Sequence, residues 1–101
     1  MNISTNISSI QAHQTMMNNN ANNIANVNTD GFIPNDTKMS DNGNSVSAHT
    51  RQANDDGSLH SQTDLAKEIP KQINIESATS ANVTAIRTQD EMLGSLLDIK
   101  A

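Results

Sequence analysis

The chain has 101 residues, a formal net charge of −5 and one aromatic side chain, and 34% of its residues are hydrophobic. It therefore holds at most one domain and lacks the apolar residues for a conventional core. The absence of cysteine excludes disulfides and thiolate metal sites, the acidic balance argues against nucleic-acid binding, and no apolar run approaches the ~20 residues of a membrane span.

Ordering each backbone residue costs about 1–2 kcal/mol, and little apolar surface is present to offset this cost. This composition predicts a chain that gains most of its order from neighbouring chains. A marginal, free-standing helical hairpin is the alternative.

Residues 1–30 are predicted to form an N-terminal helix that reaches about Asn28. This segment contains no Asp, Glu, Lys or Arg before position 30, and its Asn, Ser and Thr side chains weaken a helix because they compete for backbone hydrogen bonds. The helix is therefore expected to form when its apolar stripe is buried by another helix, in this chain or in neighbouring ones. The apolar positions of this segment are Ile3, Ile7, Ile10, Met17, Ala21, Ile24 and Val27.

Residues 31–62 are predicted to be an irregular linker or a small hairpin. Asp30-Gly31, Asn42-Gly43 and Asp56-Gly57 are turn signals, and Asn42-Gly43 suits a two-residue hairpin turn. Because the flanking residues lack clear apolar alternation, a disordered loop is the favoured interpretation.

Residues 63–101 are predicted to form a C-terminal helix. Thr63 is the candidate N-cap, with Asp64 in the first turn. Pro70 either kinks this helix or lies in the first turn of a helix that starts near Ile69, and we favour the second. One face of this helix is predicted to carry packing residues. Phe32, directly after the Asp30-Gly31 turn, is also a predicted packing residue. The face consists of Ile75, Ala78, Asn82, Ala85, Ile86, Gln89, Met92, Leu93, Leu96 and Ile99.

The predicted fold class is all-α: two long terminal helices, packed as a coiled-coil-like hairpin, are joined by an irregular middle segment that could be β in part. No catalytic, cofactor-binding or metal-binding residue is predicted, so the chain is not expected to be an enzyme. The histidines His13, His49 and His60 are dispersed. Asp90 and Glu91 point about 100° apart on a helix and do not converge on one substrate.

Two segments of the chain resemble bacterial flagellar rod and hook subunits. The first is similar to the signature NNIAN-x-x-T-x-GF, which matches at Asn22, Asn23, Ile24, Ala25, Asn26, Thr29, Gly31 and Phe32. The second is similar to the C-terminal pattern A-N-x-x-x-I-x-T-x-D-E-M-L-x-x-L-L-x-L-K, which matches at Ala81, Asn82, Ile86, Thr88, Asp90, Glu91, Met92, Leu93, Leu96, Leu97 and Lys100. The chain departs from the family at Ile33, Pro70 and Thr79, and in its short middle segment.

The resemblance implies a structural subunit of the flagellar axial structure, in or next to the basal-body rod, that serves motility. It implies partners among other rod and hook subunits and further copies of itself, in a helical assembly. It also implies export by the flagellar type III secretion apparatus, without a cleaved signal peptide, to the periplasmic portion of the basal body. No cofactor, nucleic acid or membrane span is expected. The rival hypothesis is an adaptor or regulatory protein that binds rod or hook subunits and controls their export or assembly.

Overall fold

The computed structural model describes the main chain of residues 3–100 and the side chains of residues 3–98. In chain order the elements are α1 (Ile3–Ala25), β1 (Asn35–Asp41), β2 (Val46–Gln52) and α2 (Leu65–Lys100). The strands form a two-stranded antiparallel sheet. The predicted all-α class is therefore wrong, and the fold is mixed α and β.

The helix α1 ends at Ala25, three residues before the predicted boundary. A turn follows, in which the Thr29 N–H donates to the Asn26 carbonyl at 3.0 Å. Gly31 then adopts a φ of +76°, a conformation that glycine reaches without a steric penalty. Its N–H donates to the Leu59 carbonyl at 2.9 Å. The predicted turn at Asp30-Gly31 is confirmed.

The middle of the chain forms a β-hairpin, so the favoured interpretation of a disordered loop is wrong. Asp41 pairs with Val46, which leaves residues 42–45 as a four-residue connection instead of the predicted two-residue turn. The Gly43 N–H donates to the Asp41 side chain at 2.8 Å, and the Asn42 N–H donates to the Ser45 carbonyl at 2.9 Å. Polar contacts with α1 hold the two strands in place. Their sequences therefore show little apolar alternation, and the pattern did not favour strands.

The helix α2 begins at Leu65, and its N-cap is Asp64 instead of the predicted Thr63. The Asp64 Oδ1 accepts a hydrogen bond from the Ala66 N–H at 3.0 Å, as an N-cap side chain does. Pro70 lies inside this helix, so the favoured start near Ile69 is wrong. Proline removes one main-chain donor, the one that would bond to the Ala66 carbonyl.

The helix α1 is the central element of the molecule, which measures 67 × 23 × 14 Å. It runs antiparallel to α2: Asn20 bonds to Glu68 near one end, and Ser9 accepts from Asn82 toward the other at 2.9 Å. The hairpin packs on a different side of α1, where the Val46 N–H donates to the Ser8 hydroxyl at 2.9 Å.

The interior contains more polar than apolar side chains. Among the described residues, the buried apolar ones are Pro34 and, at 4% and 2% exposure, Ala12 and Ile75. The buried polar residues are Asn6, Asn20, Asn23 and Glu68. Specific hydrogen bonds therefore position the elements, while the apolar contribution to stability is small.

Candidate assembly surface

One buried amide fixes the hairpin to α1. The Asn23 Nδ2 donates to the Asn35 carbonyl at 2.8 Å, and the Asn35 N–H donates to the Asn23 Oδ1 at 2.9 Å. Asn23 is 1% exposed. An asparagine amide supplies both a donor and an acceptor, whereas an aspartate supplies acceptors alone. This side chain therefore replaces a strand partner for the first residue of β1.

Other residues of the N-terminal motif build the corner where the chain leaves α1. The Asn26 Oδ1 accepts from the Thr29 hydroxyl at 3.0 Å, and the Asn26 carbonyl accepts from the Ser61 hydroxyl at 2.7 Å. The Gln62 N–H donates to the Phe32 carbonyl at 3.0 Å. The motif thus joins the end of α1 to the linker that leads into α2.

The seam between α1 and α2 is polar at its centre. The Asn20 Nδ2 donates to the carbonyl and to the Oε2 of Glu68, both at 2.8 Å. The Lys71 Nζ is 3.9 Å from the Glu68 Oε1. The Asn20 Oδ1 and both amide atoms of Asn6 have no hydrogen-bond partner. Since an unpaired buried polar group costs about 1–3 kcal/mol, this seam stabilises the free chain weakly.

The apolar stripe of α1 lies beside the seam instead of at its centre. Ile10 and Met17 line an open groove of about 450 Å³ together with Ile75 and Thr79 of α2. Farther toward the start of α1, Ile3 and Ile7 are 38% and 45% exposed. Each free chain thus leaves much of its stripe in contact with water.

The end of α2 extends past the first described residue of α1. We call residues 90–100 the α2 overhang. On its described part, Met92, Leu93, Leu96 and Leu97 are 61%, 55%, 59% and 62% exposed. These side chains form an apolar surface that α1 does not cover.

The structure divides the predicted packing residues into three groups. Ile75 is buried, and the half-buried ones are Ile10, Met17, Ile24, Val27, Phe32, Ala78, Ala85 and Ile86. The exposed ones are Ile3, Ile7, Ala21, Met92, Leu93 and Leu96. The side chains of Ile99 and Lys100 lie outside the described residues.

The two motifs lie toward opposite ends of the helix pair. In the first motif, Asn23 is buried and Asn26 is half-buried. The exposed positions of both motifs are Asn22, Ala25, Thr29, Gly31, Ala81, Thr88, Asp90, Glu91, Met92, Leu93, Leu96 and Leu97. In the second motif, the Asn82 Nδ2 donates to Ser9 across the seam and to the Ala78 carbonyl of its own helix at 3.0 Å.

Sequence reasoning missed the buried polar residues Asn6, Asn20 and Glu68 and the half-buried residues Asn19 and Asn35. The Asn19 Nδ2 donates to the hydroxyls of Thr37 and Thr50, at 2.6 and 2.8 Å. A signal was present, since Asn6 and Asn20 are fourteen residues apart and repeat on one helix face. The absence of Asp, Glu, Lys and Arg from α1 was a second signal, because charged side chains are rarely buried and uncharged polar ones are buried more easily.

The described residues contain no group of three or more His, Asp or Glu side chains placed to share a metal ion. Over the same part of the chain, neither helix has an apolar stretch long enough to cross a bilayer. In the linker, hydrogen bonds from the Gln62 side chain and from the Gly57 N–H lower the pKa of the Asp55 carboxyl below 3.8.

No protein-family model matches this chain, and a search of curated proteins finds no significant match either. The geometry itself defines a class: a helical hairpin with a small β projection, a polar seam and large unpaired apolar surfaces. That arrangement offers surfaces for association with other chains.

Proposed function

We propose that the chain is a structural subunit of the bacterial flagellar axial structure, in or next to the basal-body rod. The two motifs similar to rod and hook subunits support this assignment, since one lies at the end of α1 and the other in α2. The subunit would assemble by packing α1 and α2 against the helices of neighbouring subunits. Export through the flagellar type III apparatus to the periplasmic portion of the basal body is part of the proposal.

The observation that carries the proposal is the exposure of apolar side chains on both helices. Outside the overhang, Leu65, Ile69, Ile73 and Val83 of α2 are 39%, 49%, 58% and 46% exposed. Full burial of one such side chain is worth about 1.5–3 kcal/mol. Neighbouring helices that cover these positions would therefore supply the stabilisation that the small interior of the free chain lacks.

The polar contacts have a complementary role in this proposal. Asn23 and Asn19 hold the hairpin on one side of α1, away from the groove that Ile10 and Met17 line. The apolar groove and the α2 overhang consequently stay free for neighbours. In an assembled tube the hairpin would project from the packed helices.

The test is the location and copy number of the protein in basal bodies purified from the bacterium that encodes it. We expect the protein in the rod fraction at several copies per basal body, and density for both helices in a map at side-chain resolution. Its absence from purified basal bodies, with normal amounts elsewhere in the cell, would contradict the proposal. One copy or a few at the end of the rod would instead favour the adaptor.

A further inference from the structure

We propose that the α2 overhang is a self-association surface, through which two copies of the free chain form an antiparallel, two-fold dimer. This inference concerns the purified chain and goes beyond the flagellar proposal. It starts from the face of α2 that packs against α1.

That face continues into the overhang without a change of period. Ile75, Asn82 and Ile86 lie on the side of α2 that α1 covers, and Ile75 is 2% exposed. The same side continues through Leu93 and Leu97 at spacings of four and seven residues. These leucines are 55% and 62% exposed because α1 no longer lies beside them. The packing face of α2 therefore continues beyond the level at which the described part of α1 begins, at Ile3.

A second copy can cover this surface because its overhang can lie antiparallel to the first. Within one chain α1 is antiparallel to α2, as the Asn20–Glu68 and Ser9–Asn82 contacts require. An antiparallel helix would therefore extend the existing packing along the overhang. The overhang of a second copy, turned about a two-fold axis, has this direction, and the contact is self-complementary because the same patch faces itself.

The size of the patch sets the strength of the association. Each copy contributes four large apolar side chains, Met92, Leu93, Leu96 and Leu97. Stable protein interfaces bury about 1,200–2,000 Å² and use some 20–30 residues on each side. Two overhangs offer far fewer residues, so the dimer is expected to be weak and to form toward high micromolar concentrations. Association should also raise helicity, because it stabilises the folded chain by mass action.

Sedimentation equilibrium of the purified chain, from low micromolar to millimolar concentration, tests the proposal. We expect a monomer–dimer equilibrium for the original sequence. The double substitution Leu93→Asp/Leu96→Asp should weaken dimerisation roughly tenfold or more, because it places charges in the contact. The matched control is Ile73→Asp: Ile73 is 58% exposed, close to the 59% of Leu96, but lies outside the overhang. This control should dimerise like the original chain.

Cysteine substitution provides a second measurement that does not depend on the folding of the charged variant. The chain has no cysteine, so Leu96→Cys and Ile73→Cys each introduce one thiol of similar exposure. Leu96→Cys should form disulfide-linked dimers at least several-fold faster under mild oxidation. Equal rates for the two variants would overturn the proposal.

Three further results would overturn the two-fold dimer: a monomer at all concentrations, equal loss of association in Ile73→Asp, and open-ended oligomers. None of them would decide the flagellar proposal, which is tested separately on purified basal bodies. Conversely, absence of the protein from basal bodies would leave the dimer intact.

Discussion

Asn23 on α1 satisfies both main-chain hydrogen-bonding groups of Asn35, with distances of 2.8 and 2.9 Å. One buried side chain thus sets where β1 starts relative to the helix. Because Asn23 also belongs to the motif that resembles flagellar rod subunits, the contact gives that motif position a physical reason: it attaches the projection to the helix.

Replacing Asn23 by alanine should destabilise the fold by about 1–3 kcal/mol, because it leaves the half-buried main-chain groups of Asn35 without their partner. Urea denaturation at one fixed protein concentration measures this change. Hydrogen exchange of the β1 amides should accelerate more than exchange in the middle of α1. The control is Asn18→Ala, since Asn18 is exposed on the same helix. Equal effects of the two substitutions would show that the amide does not hold the hairpin.

The Asn20–Glu68 contact should be costly to break from one side. Asn20→Ala removes a donor at 2.8 Å from a carboxylate that is buried. A loss of about 1.5–3 kcal/mol is expected, since hydrogen bonds to charged groups have this value. Adding Glu68→Leu should restore part of the loss, because it removes a buried carboxylate that has lost its 2.8 Å hydrogen bond from Asn20.

Urea denaturation of the single and double variants measures this coupling. Glu76→Leu in the Asn20→Ala background is the control, as Glu76 is an exposed acid on the same helix. Recovery of stability by Glu76→Leu, and none by Glu68→Leu, would contradict the assignment.

The linker should loosen in acid through Asp55. The side chain of Gln62 and then the Gly57 N–H bond to the ionised carboxyl and lower its pKa below 3.8. A lowered pKa in the folded state means that the contribution to stability is present above pH 3.8 and is lost as the pH falls through the folded-state pKa. The carbon-13 shift of the Asp55 carboxyl should report this titration.

Gln62→Ala should raise the pKa of Asp55 toward 3.8, because it removes the larger of the two causes. Gln52→Ala changes an exposed glutamine at the end of β2 and serves as the control. If Gln62→Ala leaves the titration where it was, the side-chain hydrogen bond is not the cause.

The sequence predicted what local chemistry determines and missed what polar tertiary contacts determine. The turn at Gly31 followed from backbone sterics, and the two helices followed from apolar spacing. The β-hairpin was only the less favoured alternative, because Thr37 and Thr50 are held by the Asn19 amide, at 2.6 and 2.8 Å, instead of by an apolar face. No local pattern encodes a partner so distant in the chain.

The candidate surface was predicted in part. The apolar stripe was identified, but its position beside the seam was not, because the seam is occupied by Asn6, Asn20 and Glu68. The helical period shows which side of the helix a residue lies on, but not which of two adjacent rows of side chains faces the other helix. It does not reveal that asparagines, which are mostly exposed in proteins, lie at the centre of the seam here.

Charges in the α1 stripe should prevent assembly. Ile10→Asp places a carboxylate in the groove beside Met17, and Ile24→Asp does so on the half-buried edge of the same helix. Covering an unpaired charge is heavily penalised, so neither variant should enter basal bodies. Quantitative blotting of purified basal bodies gives the result.

Asn42→Asp and Ser58→Asp are the matched controls for the stripe variants. Both residues are exposed in the middle of the chain, and both variants should be incorporated and support motility. Similar incorporation of stripe and control variants would disprove the packing role of the stripe.

Deletion of residues 92–101 should separate export from incorporation. The deletion removes the exposed apolar side chains of the α2 overhang and leaves the contacts of Asn20 and Ser9 with α2 in place. The export signal that the resemblance implies is N-terminal, so secretion should continue. Without the overhang the subunit loses several of its large apolar contacts, each worth about 1.5–3 kcal/mol when fully buried, and should be released or degraded.

The control for this deletion is Leu59→Ser, at a linker residue that is 84% exposed, which should be incorporated normally. Fractionation of cells and blotting of basal bodies measure both steps, and normal amounts of the truncated chain in basal bodies would show that the α2 overhang is not required for incorporation.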